Sequence, residues 1–175
     1  MTIRPESPRD VAAIRRVNEL AFGRRAEADI VDRLRERARP IVSQVAEDGG
    51  EIAGHILISP VTLASRPDLL LMGLAPLAVM PERQRQGIGS ALVTAGLEEC
   101  RSLGAAAVVV LGHAAYYPRF GFRPASLFGL RSEYDVADDV FMALELRDGT
   151  LAGVSGTVRY HPALDADAGG SRQQS

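Results

Sequence analysis

The chain has 175 residues, of which 46% are hydrophobic, and a formal net charge of −2 at pH 7. This length suggests one domain that can bury a core without metals or disulfides. The balanced charge argues against nucleic-acid binding, and no apolar run reaches the roughly 18 residues that span a bilayer. A single cysteine, Cys100, forbids an internal disulfide, and the N-terminus is polar, so we expect a cytoplasmic protein. All 20 basic residues are arginine, which excludes lysine catalysis.

Strand and helix patterns alternate through the first 60 residues. Ser7 is a helix N-cap followed by proline and, three residues after the cap, by an acid, and Gly23 ends the helix. The predicted elements are a strand over 2–5, a helix from the cap to Phe22, a helix over 27–37, and strands over 41–47 and 51–60. The glycine pair Gly49-Gly50 between the last two strands indicates a hairpin.

A strand, a helix and a second strand form the middle of the chain. The apolar run over 69–79 predicts a buried strand, and a helix over 88–103 leads to a second apolar strand over 105–111. This order implies a parallel pair joined by a right-handed crossover. Because Pro76 cannot donate a backbone hydrogen bond, strand pairing should be interrupted there.

Shorter elements follow. They are a short helix over 116–120 stopped by Gly121, an antiparallel pair over 122–127 and 140–147 around a polar loop, and a last strand at Thr157–Tyr160. Residues 165–175 are polar and rich in Gly, Ser and Gln, which predicts a disordered tail.

The junction between the first central strand and its helix carries Gln84-x-x-Gly87-x-Gly89. The first turn of a helix has unpaired N–H groups and a partial positive charge, and glycines let an anion approach the backbone. Arg83 and Arg85 add charges that can fork onto phosphate, so the junction fits a diphosphate. A P-loop would need lysine, and a dinucleotide fingerprint would need a third glycine. Without its flanks, the pattern is more typical of a glycine-opened surface helix.

The flanking residues make the pattern specific. The run Leu-Ala-Val-x-Pro-x-x-Gln-x-x-Gly-x-Gly-x-x-Leu over 77–92 resembles the acyl-CoA signature of the GNAT superfamily of N-acetyltransferases. A second hallmark of that family follows as Tyr-Tyr-Pro-Arg-Phe-Gly-Phe over 116–122. The resemblance covers about residues 2–147. It implies an α/β (α+β) fold with a mixed, twisted sheet that is splayed between two parallel central strands and has helices on both faces.

The resemblance also implies domain limits and a cosubstrate. We expect an acetyltransferase domain over 1–147, an extension over 148–164 with the last strand, and the tail over 165–175. Acetyl-CoA is the expected cosubstrate, with no metal. The backbone N–H of Leu77 should receive the acetyl carbonyl. The expected coenzyme-binding residues are Leu77, Ala78, Val79, Gln84, Arg85, Gln86, Gly87, Ile88, Gly89, Ser90 and Tyr117.

Tyr117 is the candidate catalytic acid, since it matches the family tyrosine that faces the coenzyme sulfur; without the motif it would be read as a core aromatic. His113, at the end of the second central strand, is the candidate base, although the pattern by itself favours a structural histidine slightly. His55 lies in mid-strand and is interpreted as a core histidine, and Cys100 as core packing. Glu27 is a predicted substrate contact that could also act as a base through water.

The predicted function is therefore transfer of an acetyl group from acetyl-CoA to a primary amine by direct attack in a ternary complex. The acceptor could be a small-molecule amine or a peptide amine. We expect no nucleic-acid or membrane partner, and a monomer or a homodimer. Two alternatives stay open: a non-catalytic acyl-CoA sensor, and an acyltransferase that uses a longer or acidic acyl group.

Overall fold

The computed structural model describes residues 1–165, which form nine β-strands, three α-helices and several 3-10 turns. The helices are α1 (Val11–Phe22), α2 (Ala26–Arg37) and α3 (Ile88–Ser102). The strands are β1 (Thr2–Pro5), β2 (Val42–Asp48), β3 (Glu51–Leu63), β4 (Leu71–Val79), β5 (Ala107–Leu111), β6 (Arg123–Pro124), β7 (Leu130–Ser132), β8 (Phe141–Glu145) and β9 (Gly156–Arg159). Apart from Asp165, the tail predicted to be disordered lies outside the described residues.

The predicted order of elements is confirmed, with two differences after Gly121. The strand predicted over 122–127 is shorter, because the chain turns into a 3-10 helix at Ala125–Phe128 that ends at Gly129 with φ 76°. Strand β7 lies inside the stretch predicted to be a polar loop. It pairs in parallel with β9, which also pairs with the end of β3. A pairing partner far along the chain therefore makes these three residues a strand.

The main sheet has the strand order β1-β2-β3-β4-β5-β8-β6 and packs helices on both faces. Because side chains alternate along a strand, Ile56 and Ile58 of β3 face Leu92 of α3, while Leu57 between them faces α1 and α2. The small β7–β9 layer covers the rest of the second face around Val109. This confirms the predicted mixed α/β sheet with helices on both sides.

The parallel strands β4 and β5 separate halfway along β4. Their pairing runs from Leu71 with Ala107 to Leu74 with Val110, while β4 itself continues to Val79. On the other side, Ile56 of β3 pairs with Leu77 and Ile58 with Leu74, so β4 has one extra residue there, beside Pro76. The predicted interruption at Pro76 and the predicted splay are thus both present. A cleft opens between the last residues of β4 and the end of β5.

Candidate active site

The junction of the turn and α3 contains two glycines, and each position requires glycine for a different structural reason. Gly87 is the N-cap of α3 and has φ 84°, a conformation that side chains disfavour, although a Cβ there would meet nothing within 4 Å. Gly89 has an ordinary backbone, but a Cβ on it would lie 3.0 Å from the hydroxyl of Tyr116. Gly87 therefore shapes the turn, and Gly89 leaves room for the Tyr116 hydroxyl beside the first turn of α3.

This turn lines a cavity of about 540 Å³ that we call the basic cavity. Its lining residues are Leu77, Val79, Arg83, Gln84, Arg85, Gly87, Ile88, Gly89, Ser90, Tyr116 and Arg119. Arg83 also forms an ion pair with Asp48, whereas Arg85 is exposed at the turn. Unpaired N–H groups at the start of a long helix, next to several guanidinium groups, form a binding site for a di-anion such as a diphosphate.

The end of β4 has one open backbone edge. The N–H of Met80 donates to the carbonyl of Ala53 in β3 at 2.9 Å. Since bonded and non-bonded pairs alternate in an antiparallel ladder, the N–H groups of Leu77 and Val79 point away from β3. Consistent with this, the side-chain amide of Gln84 donates to the carbonyl of Val79 at 3.1 Å. The N–H of Leu77 therefore faces the cleft where β4 and β5 separate.

Tyr117 lies at the floor of the cleft and is only 7% exposed. Its ring packs edge-on against Tyr116 and Phe122, with centroids 5.1 and 5.6 Å apart. A Cβ at Gly112 would lie 2.3 Å from the ring, so a glycine is needed there for the tyrosine to fit. Burial, and then the neighbouring Tyr116, raise the pKa of Tyr117 to about 12. Its hydroxyl therefore stays protonated at neutral pH and is available as a donor.

Tyr116 and Arg119 belong to the basic cavity, which the sequence did not predict. The hydroxyl of Tyr116 lies 3.4 Å from the Oγ of Ser90. The Arg119 guanidinium stacks 4.4 Å from the centroid of the Tyr116 ring, and its Nε donates to the Tyr116 carbonyl at 2.9 Å. The second motif thus supplies one wall of the site whose other wall is the glycine turn. The only hint in the sequence was that the two residues are three positions apart in that motif, a spacing that can place them on the same side of a helical turn.

A second cavity, of about 850 Å³, occupies the cleft itself; we call it the apolar cavity. Its lining residues are Phe22, Leu74, Ala75, Leu77, Leu111, Gly112, His113, Tyr116, Tyr117, Asp135, Val136, Ala137 and Val140. Leu77 and Tyr116 line both cavities, so the two adjoin. The structure brings Tyr117 and the exposed His113 to the same cavity.

Other residues singled out in the sequence lie elsewhere. Glu27 forms an ion pair with Arg24 at 2.5 Å at the start of α2, near the end of α1 that supplies Phe22 to the apolar cavity. Cys100 is fully buried on the inner face of α3, and burial raises the pKa of its thiol to about 12. Its position fits the core role predicted for it.

His55 is also fully buried, and burial lowers its pKa. It contacts the Oγ of Ser43 at 2.9 Å and the side-chain amide of Asn18 at 3.3 Å. That amide also donates to a backbone carbonyl, so the Nδ1 of His55 is the acceptor and its Nε2 carries the proton. His55 is thus a hydrogen-bonded core histidine, as interpreted from the sequence.

Among residues 1–165, no group of three or more His, Cys, Asp or Glu side chains is arranged to hold a metal ion. Over the same residues, no helix is both long enough and apolar enough to cross a membrane.

Comparison with known proteins identifies the family. Residues 11–122 match the Acetyltransferase (GNAT) family. Two uncharacterized N-acetyltransferases of Escherichia coli K12 are similar in sequence. YhbS is 39% identical over 92% of this chain and 96% of its own length. YjhQ is 47% identical over 67% of this chain, a match that spans 66% of the length of YjhQ.

Solved structures agree with the sequence matches. The crystal structure of YhbS from Escherichia coli in complex with CoA has a TM-score of 0.88 and 37% identity, and the match covers 94% of this chain and 91% of that one. A GNAT family acetyltransferase from Brucella melitensis in complex with acetyl-CoA has a TM-score of 0.78 and 37% identity, with 94% and 97% covered. This chain therefore belongs to the GNAT acetyltransferase family.

Proposed function

We propose that this protein is an N-acetyltransferase that transfers the acetyl group of acetyl-CoA to a primary amine by direct attack in a ternary complex. The observation that carries the proposal is the meeting of two unlike cavities at Leu77 and Tyr116. One is basic and opens on a glycine-started helix, and the other contains a buried tyrosine and a histidine. Such a pair suits a diphosphate-bearing donor in one cavity that meets an acceptor in the adjoining cavity.

The coenzyme is assigned to the basic cavity and the open edge of β4. In this assignment the backbone from Gln84 to Ser90, with Arg85 and Gln86 at the turn, binds the pyrophosphate. The backbone of Leu77, Ala78 and Val79 lies along the arm that carries the thioester. The open N–H groups of Leu77 and Val79 support this placement, and so do the coenzymes bound by the two similar crystal structures.

The chemistry follows from the groups around the cleft. The amine nitrogen attacks the thioester carbonyl carbon, and negative charge builds up on the carbonyl oxygen, where the Leu77 N–H donates a hydrogen bond. The carbon–sulfur bond then breaks while the Tyr117 hydroxyl donates to the departing sulfur. The coenzyme leaves as a thiolate that is hydrogen-bonded to Tyr117 and then takes a proton from solvent, while the amine becomes an amide. An ammonium acceptor loses two protons and the thiolate takes up one, so one proton is released per turnover.

The amine must lose its own proton before or during attack, because an alkyl amine has a pKa near 10 and is mostly charged at neutral pH. His113 is the proposed base, since it lines the same cavity as Tyr117 and is open to solvent, which can carry the proton away. Glu27 is not among the residues that line the cavity, but it follows Phe22 closely along the chain and is kept as a proposed acceptor contact that could act through water.

The test uses the purified full chain. Calorimetry with acetyl-CoA should show binding, and a thiol reagent should show coenzyme release that depends on an added primary amine. Mass spectrometry should detect the acetylated amine. Coenzyme binding without transfer to any amine in a broad panel would instead favour the sensor alternative. Faster turnover with propionyl- or succinyl-CoA than with acetyl-CoA would favour the alternative acyl donor.

A further inference from the structure

We propose that the acceptor is a small primary amine carried on an apolar body, such as an aryl-alkyl or branched alkyl amine. This inference rests on the proposed function, because it assigns the acceptor to the apolar cavity. It goes further in naming the chemical class that the cavity selects. Its basis is the contrast between the linings of the two adjoining cavities.

Most side chains that line the apolar cavity are aliphatic or aromatic. Leu74 and Leu77 of β4 and Leu111 of β5 are among them. At the mouth, Phe22 is 40% exposed and Val136 is 39% exposed, two of the few large apolar side chains on the described surface that water reaches. Exposed apolar side chains that lie together around a cavity indicate a site that binds apolar groups.

The charged groups are divided between the cavities. Arg83, Arg85 and Arg119 line the basic cavity. Among the described residues that line the apolar cavity there is no arginine, and its one carboxylate is Asp135. An acceptor with a carboxylate or phosphate would lose water there without gaining a cationic partner, which is costly. An ammonium group meets no arginine there, and the exposed carboxylate of Asp135 favours its entry by charge attraction.

An acceptor with many hydroxyl groups would bind weakly for the same reason. A polyhydroxylated amine would need several hydrogen-bond partners along the aliphatic wall, and each unmatched hydroxyl weakens binding. The volume of about 850 Å³ lies within the range of small-molecule sites, so an aromatic ring or a short branched chain fits. The amine end would reach Tyr117 while the apolar body lies toward Val136.

The experiment measures kcat/KM for matched acceptors with the wild-type chain and saturating acetyl-CoA. In the series ethylamine, butylamine, hexylamine, each added methylene should raise kcat/KM by about fourfold until the cavity is full. Phenethylamine should exceed ethanolamine by about 100-fold or more. β-Alanine and 2-aminoethyl phosphate should be the poorest acceptors in the panel.

A pair of variants tests the location. Val136→Ser removes apolar surface at the mouth and should lower kcat/KM for phenethylamine several-fold, with little effect for ethylamine, which is too short to reach it. Leu127→Ser is the matched control: Leu127 is 61% exposed and lines a separate shallow cavity, so neither acceptor should be affected. Equal losses for both acceptors in Val136→Ser would contradict the assignment.

The outcomes separate this inference from the proposed function. Transfer to polyamines or aminoglycosides that matches or exceeds transfer to apolar amines would overturn the inference and leave the N-acetyltransferase function standing. Coenzyme binding without transfer to any amine would overturn the proposed function, and the inference with it. A rising alkylamine series together with a selective effect of Val136→Ser would support both.

Discussion

Replacing Tyr117 with phenylalanine tests the proposed catalytic acid most directly. The ring is buried and packs edge-on against Tyr116 and Phe122, and phenylalanine keeps those contacts. Only the hydroxyl is lost, so the folded structure should be retained. We expect turnover to fall while the affinity for acetyl-CoA changes little, because the hydroxyl is needed chiefly when the thiolate departs.

The size of the effect follows from two pKa values. Burial holds the pKa of Tyr117 at about 12, whereas a thiol has a pKa of about 8.5. Complete proton transfer from the phenol to the thiolate is therefore uphill, and the hydroxyl acts mainly as a hydrogen-bond donor to the developing charge. Such a bond is worth about 1.5–3 kcal/mol, which corresponds to a loss of about 10- to 150-fold in kcat. This overlaps only the lower limit of the range of about 10²- to 10⁴-fold that is typical of general-acid catalysis.

The assay is stopped-flow thiol release with saturating acetyl-CoA and amine, combined with calorimetric Kd values for the coenzyme. Tyr116→Phe is the matched control, because its hydroxyl lies over Gly89 and near Ser90 in the basic cavity. That variant should change coenzyme affinity more than turnover. Full turnover in Tyr117→Phe under conditions where chemistry limits the rate, or a turnover defect confined to Tyr116→Phe, would refute the reasoning.

Three further predictions follow from the site and its surroundings. Gly89→Val should weaken CoA binding by about 10- to 150-fold through loss of one charge-assisted backbone contact, while Thr94→Val, on the exposed face of the same helix, should leave it unchanged. Equal calorimetric affinities of the two variants would contradict the assignment of the pyrophosphate to this turn. Because burial raises the pKa of Tyr117, ionisation of its hydroxyl should not lower kcat between about pH 7 and pH 10. A decrease of kcat in this pH range that is absent in Tyr117→Phe would contradict this prediction. Burial alone would raise the pKa of Glu6, but its contacts with His55, Arg35 and Ser43 outweigh burial and lower the pKa from 4.5 to about 2. The ionised carboxylate therefore stabilises the fold above pH 4.5 by at most about 3 kcal/mol. This contribution is lost as the pH falls toward 2. Urea unfolding of Glu6→Gln and the wild type should therefore differ most above pH 4.5, and a difference that grows on acidification would contradict the assignment.

Features that depend on a few neighbouring residues were predictable. Gly87 and Gly89 mark the start of α3. Glycines at the start of a helix leave its first N–H groups accessible. Pro76 marks the interruption of β4, because a residue without an N–H cannot complete a ladder. In both places the prediction needed only backbone chemistry and local periodicity, and the structure shows the expected features.

Features that depend on distant residues were not predictable. Strand β7 has only three residues, and it exists because β9 pairs with it from more than twenty residues away. Tyr116 and Arg119 line the basic cavity because the second motif packs next to the start of α3 in the folded chain. Nothing in their local sequence indicates which cavity each one enters.

By itself, then, the sequence determined the order of the elements as far as Gly121, the glycine turn that opens α3, and the two motifs that place the chain in its family. These are properties of short segments, set by backbone conformation, hydrogen-bonding capacity and hydrophobic period. Only the tertiary structure decided that Phe22, Leu111 and Val136 share one cavity beside Tyr117, with the arginines on its other side. The physical reason is that a cavity is formed by surfaces from segments far apart in the chain, and its selectivity arises only after they pack.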